Sequence, residues 1–176
     1  IVGVHTSISV IGHATSRDGL HIENREPILS PSMPFDTYGC EDPRVAFFEG
    51  KYYLFYTALG GYPFSAENIK IAVAVGDTPT AFPERHLVTP FNAKAMTIFP
   101  ERINGKIIVI FSYNTDKPPA CIAFAELDTI EDLWNPAYWT AWLENKDSYI
   151  LDLRRFNTDQ IEVGGQPIKT DDGWLV

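Results

Sequence analysis

Two neighbouring carboxylates, Glu41 and Asp42, stand just before Pro43 and Arg44. Proline disfavours a helical backbone at the residue before it, so Asp42 is expected in extended chain. Adjacent side chains of an extended chain point to opposite sides. One carboxylate can therefore face a pocket while the other faces the scaffold, with Arg44 on the side of Asp42, where a guanidinium binds an anion or a carboxylate. An ordinary turn with a surface ion pair is the alternative that these four residues leave open.

A third carboxylate, Glu162, alternates with Ile161 and Val163 and precedes Gly164-Gly165. The two glycines allow a positive φ or a close approach of the backbone. This pattern is compatible with a glutamate on the solvent face of a strand. It is also compatible with a partner for Asp42, because a general acid and a general base on two carboxylates are the usual apparatus of glycoside cleavage.

The remaining polar residues give weaker signals. Lys94 lies between small residues in an apolar stretch, which is typical of a lysine at a strand edge whose stem covers apolar surface. Cys40 and Cys121 are far apart and form no CxxC pair, so we expect two buried free thiols. The histidines are scattered as well. We therefore expect neither a metal site nor a cofactor.

The elements that must position these residues are β-strands. Runs rich in β-branched and aromatic residues predict strands at 52–57, 69–75, 106–112 and 122–127. The stretch 130–143 places apolar residues on one helical face, but Pro136 interrupts it. Short helical turns are the most that we expect there. The sequence thus predicts an all-β fold.

Turn signals recur at Glu49-Gly50, Asn104-Gly105 and Asp172-Gly173, and such pairs favour the primed turns of hairpins. Two strands joined by a loop follow each of the first two, and this repetition favours propeller blades over a β-sandwich. About three blades fit residues 1–176, taken as one domain, whereas propellers typically close with four or more. Because proteins avoid open strand edges, either further residues complete the propeller or chains assemble into a homo-oligomer that does.

Composition excludes several classes of partner. The formal net charge is −9, which argues against nucleic acid, because the phosphate backbone requires a basic face. No apolar run reaches the roughly 18 residues of a membrane-spanning helix. Uncharged ligands such as oligosaccharides remain compatible with the charge.

Five segments together carry a family resemblance: they are 12–19, 39–44, 53–58, 99–106 and 167–175. In this order they resemble glycoside hydrolase family 130. The resemblance implies a five-bladed β-propeller that acts on β-mannosides with inversion, either as a phosphorylase or as a hydrolase. Because the family continues beyond Gly173-Trp174-Leu175, it also implies that this chain holds an incomplete propeller and an incomplete pocket.

The resemblance also assigns roles to residues of this chain. Asp42 matches the proton donor of the family, which in the phosphorylases is thought to act through a sugar hydroxyl. Lys94 falls where the phosphorylases place a basic phosphate-binding residue. The other implied substrate-binding residues are Ser16, Asp18, Arg44 and Tyr56.

Two departures from the family pattern bear on the nucleophile. Phe111-Ser112 stands where phosphorylases carry a His-Arg pair, and Glu162 stands where they usually carry glycine. Phosphate needs cationic clamps, whereas an added carboxylate repels phosphate and can deprotonate water. The resemblance therefore favours an inverting hydrolase of β-1,2-mannosides with Asp42 as acid and Glu162 as base. The alternatives are a phosphorylase, or a truncated sugar-binding module without turnover.

Overall fold

The computed structural model describes residues 7–151, 153–156 and 160–176, and the regular secondary structure of this part of the chain consists almost entirely of β-strands, as predicted. One α-helix, α1, spans Pro136–Glu144, and short 3-10 turns flank it at Ile130–Trp134 and Lys146–Ser148. The strands, numbered in chain order, are β1 Ile11–Thr15, β2 Glu23–Leu29, β3 Cys40–Phe48, β4 Lys51–Leu59, β5 Ile69–Gly76, β6 Glu84–Leu87, β7 Ala93–Ile98, β8 Ile107–Tyr113, β9 Cys121–Leu127, β10 Ile150–Leu151, β11 Ile168–Thr170 and β12 Gly173–Leu175.

The strands form two four-stranded antiparallel sheets and two hairpins. The first sheet has the order β3-β4-β5-β6, and the second has the order β7-β8-β9-β10. Strands β1 and β2 form one hairpin, and β11 and β12 form the other. In each sheet, neighbours in sequence are neighbours in space, so the repeated strand–loop–strand unit of the sequence corresponds to one sheet.

The sheets are stacked face to face because their strands bury both faces. Along β4, Tyr53 and Phe55 pack toward the second sheet, whereas Leu54 and Tyr56 pack toward β1 and β2. Along β8, one set of alternate residues packs toward the first sheet and the other set packs toward Val163 and the C-terminal segment. Side chains of successive strand residues point to opposite faces, so each apolar strand joins two layers of core.

The predicted turns occur where the sequence indicates, with one difference. Glu49 and Gly50 both have positive φ, as do Asn104 and Gly105, which is the geometry of a primed two-residue turn. The third hairpin closes one residue earlier than expected. Thr170 pairs with Gly173, so Gly173 begins β12 instead of ending the turn.

Pro136 begins a helix instead of breaking one. Its missing N–H falls at the first helical position, where no intrahelical partner exists, and Asn135 caps the helix by accepting a hydrogen bond from the N–H of Ala137 at 3.0 Å. Our expectation of short helical turns alone was therefore wrong for 136–144. Trp139 and Trp142 from this helix are buried against the second sheet.

The two thiols differ. Cys40 is buried, and burial raises the pKa of its thiol to about 12. Cys121 is only half-buried, so the prediction of two buried thiols holds for Cys40 and is wrong for Cys121. None of the helices in the described residues has the length and apolar character needed to cross a membrane.

Candidate active site

A β-bulge sets the direction of the Asp42 side chain. Glu41 pairs with Thr57 and Arg44 pairs with Phe55, so two residues of β3 lie opposite a single residue of β4. Asp42 has φ of 50°, in the left-handed region that residues other than glycine rarely adopt but that Asp tolerates better than most. Bulges redirect side chains and are frequent beside active sites. As a result, three consecutive residues, 42–44, border one pocket.

The second sheet repeats this bulge. Lys94 pairs with Ser112 and Thr97 pairs with Ile110, and Ala95 has φ of 57°. Ala95 therefore occupies in β7 the place that Asp42 occupies in β3, and it borders the same pocket. Equivalent positions of the two sheets, Asp42 and Ala95, therefore border the same pocket.

The pocket has a volume of about 490 Å³ and is open to solvent. This volume lies within the range of roughly 300–1,000 Å³ that is usual for small-molecule sites. Its lining comes from β3, from β7 and from the segment that precedes β11: Asp42, Pro43, Arg44, Ala95, Glu162, Gly164, Gly165 and Gln166.

Asp42 and Glu162, 120 positions apart in sequence, border the same pocket. The hydroxyl of Thr57 donates a hydrogen bond to Oδ2 of Asp42 at 3.3 Å. Glu41 turns the other way, and its Oε1 accepts a hydrogen bond from Ser9 at 2.7 Å. The two neighbouring acids therefore face different environments, with Asp42 toward the pocket and Glu41 toward the scaffold. The predicted separation is present, but the expectation of an extended backbone at Asp42 was wrong, because the bulge places this residue in the left-handed region.

Arg44 is bound to the chain that carries Glu162. Its Nε and Nη2 donate to the carbonyl oxygen of Gly164 at 3.2 and 3.1 Å, and Nη2 also donates to the carbonyl of Val163 at 3.0 Å. Burial lowers the pKa of the guanidinium, while the charges of Asp42 and Glu162 oppose that effect. Arginine stays protonated at neutral pH nonetheless, so one cation lies close to both carboxylates.

Ser112 supports the same segment from β8. Its hydroxyl oxygen accepts a hydrogen bond from the N–H of Val163 at 2.8 Å, and the residue is fully buried. The sequence marked Ser112 only as the absence of an arginine. The structure shows its contact with the residue that follows Glu162.

Tyr56 does not reach this pocket. It is 2% exposed, and its hydroxyl donates to Oδ2 of the buried Asp36 at 2.8 Å. Burial raises the pKa of this hydroxyl above its usual range. The substrate contact that the resemblance implied for Tyr56 finds no support here, because its position in β4 directs the side chain toward β1 and β2.

Lys94 also lies outside the pocket lining. Its Nζ donates to Oδ1 of Asp116 at 3.1 Å. Burial acts to raise the pKa of Asp116, but hydrogen bonds from Asn92, Lys94 and Thr115 outweigh it and lower the pKa. The lysine charge is therefore matched by a carboxylate within the chain.

Ser16 and Asp18 lie in the exposed connection between β1 and β2. Asp18 accepts the backbone N–H groups of Leu20 and His21 at 2.9 and 2.8 Å and the Ser16 hydroxyl at 3.2 Å. The bond from the His21 N–H contributes most to holding the pKa of Asp18 well below its usual range. Both residues stabilise their own turn and do not line the pocket.

Gln166 is a pocket residue that our sequence analysis missed. Its Oε1 is buried and, within the described residues, has no hydrogen-bond partner. A buried acceptor without a partner costs free energy, which a ligand hydroxyl can offset. The only signal in the sequence is a polar residue held between Gly164-Gly165 and Pro167. No group of three potential metal ligands occurs in the residues described, 7–151, 153–156 and 160–176.

Comparison with known proteins agrees with the motifs of the chain. A family model described as β-1,4-mannooligosaccharide phosphorylase matches residues 4–176. The chain belongs to glycoside hydrolase family 130. The match spans the segments that contribute the pocket lining.

Curated relatives come from two bacteria. A 1,2-β-oligomannan phosphorylase from Thermoanaerobacter sp. is 29% identical over 170 residues, which cover 96% of this chain and 52% of that protein. A β-1,2-mannobiose phosphorylase from Listeria innocua is 29% identical over 179 residues, which cover 97% of this chain and 45% of that protein. The chain thus spans about half the length of the curated relatives it matches.

Solved structures show the same fold. The β-1,2-mannobiose phosphorylase of Listeria innocua, in complex with β-1,2-mannobiose, matches with a TM-score of 0.65 at 24% identity, covering 94% of this chain and 43% of that one. A glycosyl hydrolase from Bacteroides ovatus matches with a TM-score of 0.66 at 21% identity, covering 98% of this chain and 51% of that one. At these identities the likeness concerns the arrangement of the sheets.

Proposed function

We propose that this chain carries the catalytic pair of an inverting glycosidase that hydrolyses β-mannosides. The observation that supports this most is the convergence of Asp42 and Glu162 on one open pocket, next to Arg44. Two carboxylates that flank a glycosidic bond are the apparatus of inverting hydrolysis. Asp42 acts as the general acid, and Glu162 acts as the general base.

In this mechanism Asp42 gives its proton to the glycosidic oxygen as the bond from that oxygen to the anomeric carbon breaks. Glu162 removes a proton from a water molecule, whose oxygen attacks the anomeric carbon from the opposite face. The sugar leaves with inverted configuration. The reaction needs Asp42 protonated and Glu162 ionised at the start, so we expect a bell-shaped dependence of rate on pH.

The charges at the pocket favour water over phosphate as the nucleophile. Arg44 is the cation among the described lining residues, and its Nε and Nη2 bind backbone carbonyls. Lys94 is paired with Asp116, and Ser112 is a neutral residue bound to Val163. A phosphate dianion would meet two carboxylates with little free cationic charge to offset them.

Phosphorolysis is the second candidate, and the names of the relatives favour it. Both curated relatives described above are named phosphorylases, as is the family description. Phosphorolysis would use the same acid, Asp42, with phosphate in place of water.

The two reactions are separated by incubating the protein with β-1,2-mannobiose in phosphate-free buffer and then adding phosphate. We expect mannose to form without phosphate, with no mannose 1-phosphate when phosphate is supplied. β-1,4-Mannobiose, assayed in parallel, tests the linkage, for which we propose β-1,2 on the names of the relatives. Strict dependence on phosphate, with mannose 1-phosphate as product, would overturn hydrolysis and support phosphorolysis.

The stacked sheets are best explained as blades of a five-bladed propeller, the fold that the family resemblance implies. Each four-stranded antiparallel meander has the form of one blade. The bulges of β3 and β7 would then lie near the propeller axis, where blades contribute side chains to a shared pocket. Arg44 remains in the proposed substrate site, whereas the geometry gives Tyr56 a structural role and leaves Ser16, Asp18 and Lys94 outside the pocket lining.

We also propose that the 176-residue chain, taken alone, self-associates through its two hairpins. Ile168 and Leu175 of the β11–β12 hairpin are 59% and 63% exposed, and Ile8 and Val10 next to β1 are 56% and 51% exposed. Unpaired edges with exposed apolar residues favour association.

Light scattering during size exclusion tests this association, and we expect at least twice the 19.8 kDa of one chain. Leu175→Lys should shift the mass toward the monomer, whereas Tyr62→Lys, an exposed change in the loop between β4 and β5 and outside both hairpins, should not. A wild-type monomer would contradict self-association.

A further inference from the structure

Two hydroxyl groups occupy the same place in the two sheets. Thr57 pairs with Glu41 beside the bulge of β3, and Ser112 pairs with Lys94 beside the bulge of β7. Thr57 is 1% exposed and Ser112 is 0% exposed. Each hydroxyl contacts the chain segment that carries one carboxylate of the pair. The Thr57 hydroxyl donates a hydrogen bond to Asp42 itself, and the Ser112 hydroxyl accepts one from the peptide N–H that follows Glu162.

The Ser112 contact constrains Glu162 specifically. The N–H of Val163 belongs to the peptide group that joins Glu162 to Val163. A hydrogen bond of 2.8 Å to a fully buried acceptor therefore restricts rotation of the backbone at Glu162. Because a side chain leaves from the Cα atom, the orientation of this peptide sets the direction of the Cα–Cβ bond from which the Glu162 carboxylate extends.

Val163 is held from three directions. Its N–H is bound by Ser112, its carbonyl is bound by Arg44, and its side chain is 3% exposed in a cluster with Ile110 and Ile122. Arg44 also binds the next carbonyl, of Gly164. Gly164 and Gly165 have no side chains that could anchor the segment. These contacts with Val163 and Gly164 are therefore what fix the segment beside the pocket.

We propose that Ser112 is a positioning residue that sets the Glu162 carboxylate relative to Asp42, with Arg44 as the second attachment. This inference rests on the proposed hydrolysis, since it assigns Ser112 a role through Glu162. The residue that stands in place of a phosphate-binding cation thus serves the base that activates water. Thr57 has the corresponding role for Asp42.

Ser112→Ala tests the proposal because it removes the acceptor and little volume. We expect kcat to fall on the order of 10- to 100-fold with KM nearly unchanged, since a displaced catalytic group costs rate more than affinity. The limb of the kcat–pH profile that reports the base should shift. Ser112→Thr retains the hydroxyl and should restore the profile. Ile107→Val, a buried change on the opposite face of β8, should lower stability and leave the profile in place.

A titration of the Glu162 carboxyl by NMR gives a readout that does not depend on turnover. We expect Ser112→Ala to shift this titration and Ile107→Val to leave it unchanged. An unshifted titration, or a wild-type kcat and pH profile in Ser112→Ala, would overturn the positioning role. Failure of the proposed hydrolysis would be recognised separately. In that case the wild-type protein would release no mannose in the absence of phosphate, and neither would any variant at position 112.

Discussion

Asp42→Asn is expected to lower kcat for β-1,2-mannobiose by about 10²- to 10⁴-fold, the usual contribution of a general acid. Asn has the same shape as Asp and also tolerates positive φ, so the bulge of β3 and the contact with Thr57 can be kept. The measured loss therefore reports the missing proton. Affinity for the disaccharide, measured by calorimetry, should change little.

Aryl β-mannosides with a good leaving group sharpen this prediction. The phenolate released from such a substrate leaves without being protonated. The Asp42→Asn substitution should therefore lower the rate on the aryl substrate far less than the rate on mannobiose. Asp77→Asn, which removes an exposed carboxylate paired with Lys51, should behave as wild type on both. A wild-type protein that binds mannobiose but turns it over no faster than Asp42→Asn would instead identify a sugar-binding module.

Glu162→Ala is expected to lower kcat for hydrolysis by about 10²- to 10⁴-fold, because no group remains to deprotonate the attacking water. Removing the side chain also leaves space beside the anomeric carbon. Sodium azide should then restore part of the rate, since the azide ion attacks without losing a proton while Asp42 protonates the departing oxygen. The product should be α-mannosyl azide, the configuration that follows from one inversion of a β-mannoside.

The same variant should change the rates of the two candidate reactions in opposite directions. If phosphate is the nucleophile, Glu162→Ala removes a charge that repels it, and phosphate-dependent formation of mannose 1-phosphate should rise. Mass spectrometry and NMR of the products distinguish mannose, mannosyl azide and mannose 1-phosphate. Glu131→Ala, at an exposed residue outside the pocket, is the matched control and should leave every product at the wild-type level.

Local patterns in the sequence were sufficient for four of the strands, β4, β5, β8 and β9, and for the first two turns. Tyr53 and Phe55 alternate with Leu54 and Tyr56, and an apolar run of this kind forms a strand buried on both faces wherever its partners come from. The Asn104-Gly105 pair adopts positive φ because these residue types tolerate it. The ordered family motifs assigned Asp42 as the proton donor, and the departure from the family pattern at Glu162 suggested its pairing with Asp42.

The directions and partners of the polar side chains were decided only by the tertiary structure, because they depend on pairing between segments that are distant in sequence. The bulge that directs residues 42–44 into the pocket arises from the register of β3 against β4, which no local propensity specifies. Lys94 is matched by Asp116, and Ser112 meets Val163, because separate segments are brought together by packing. The sequence alone thus determined strands β4, β5, β8 and β9, the first two turns and the family. The fold decided which polar groups reach the pocket and which are occupied elsewhere, because side-chain direction follows register and stacking.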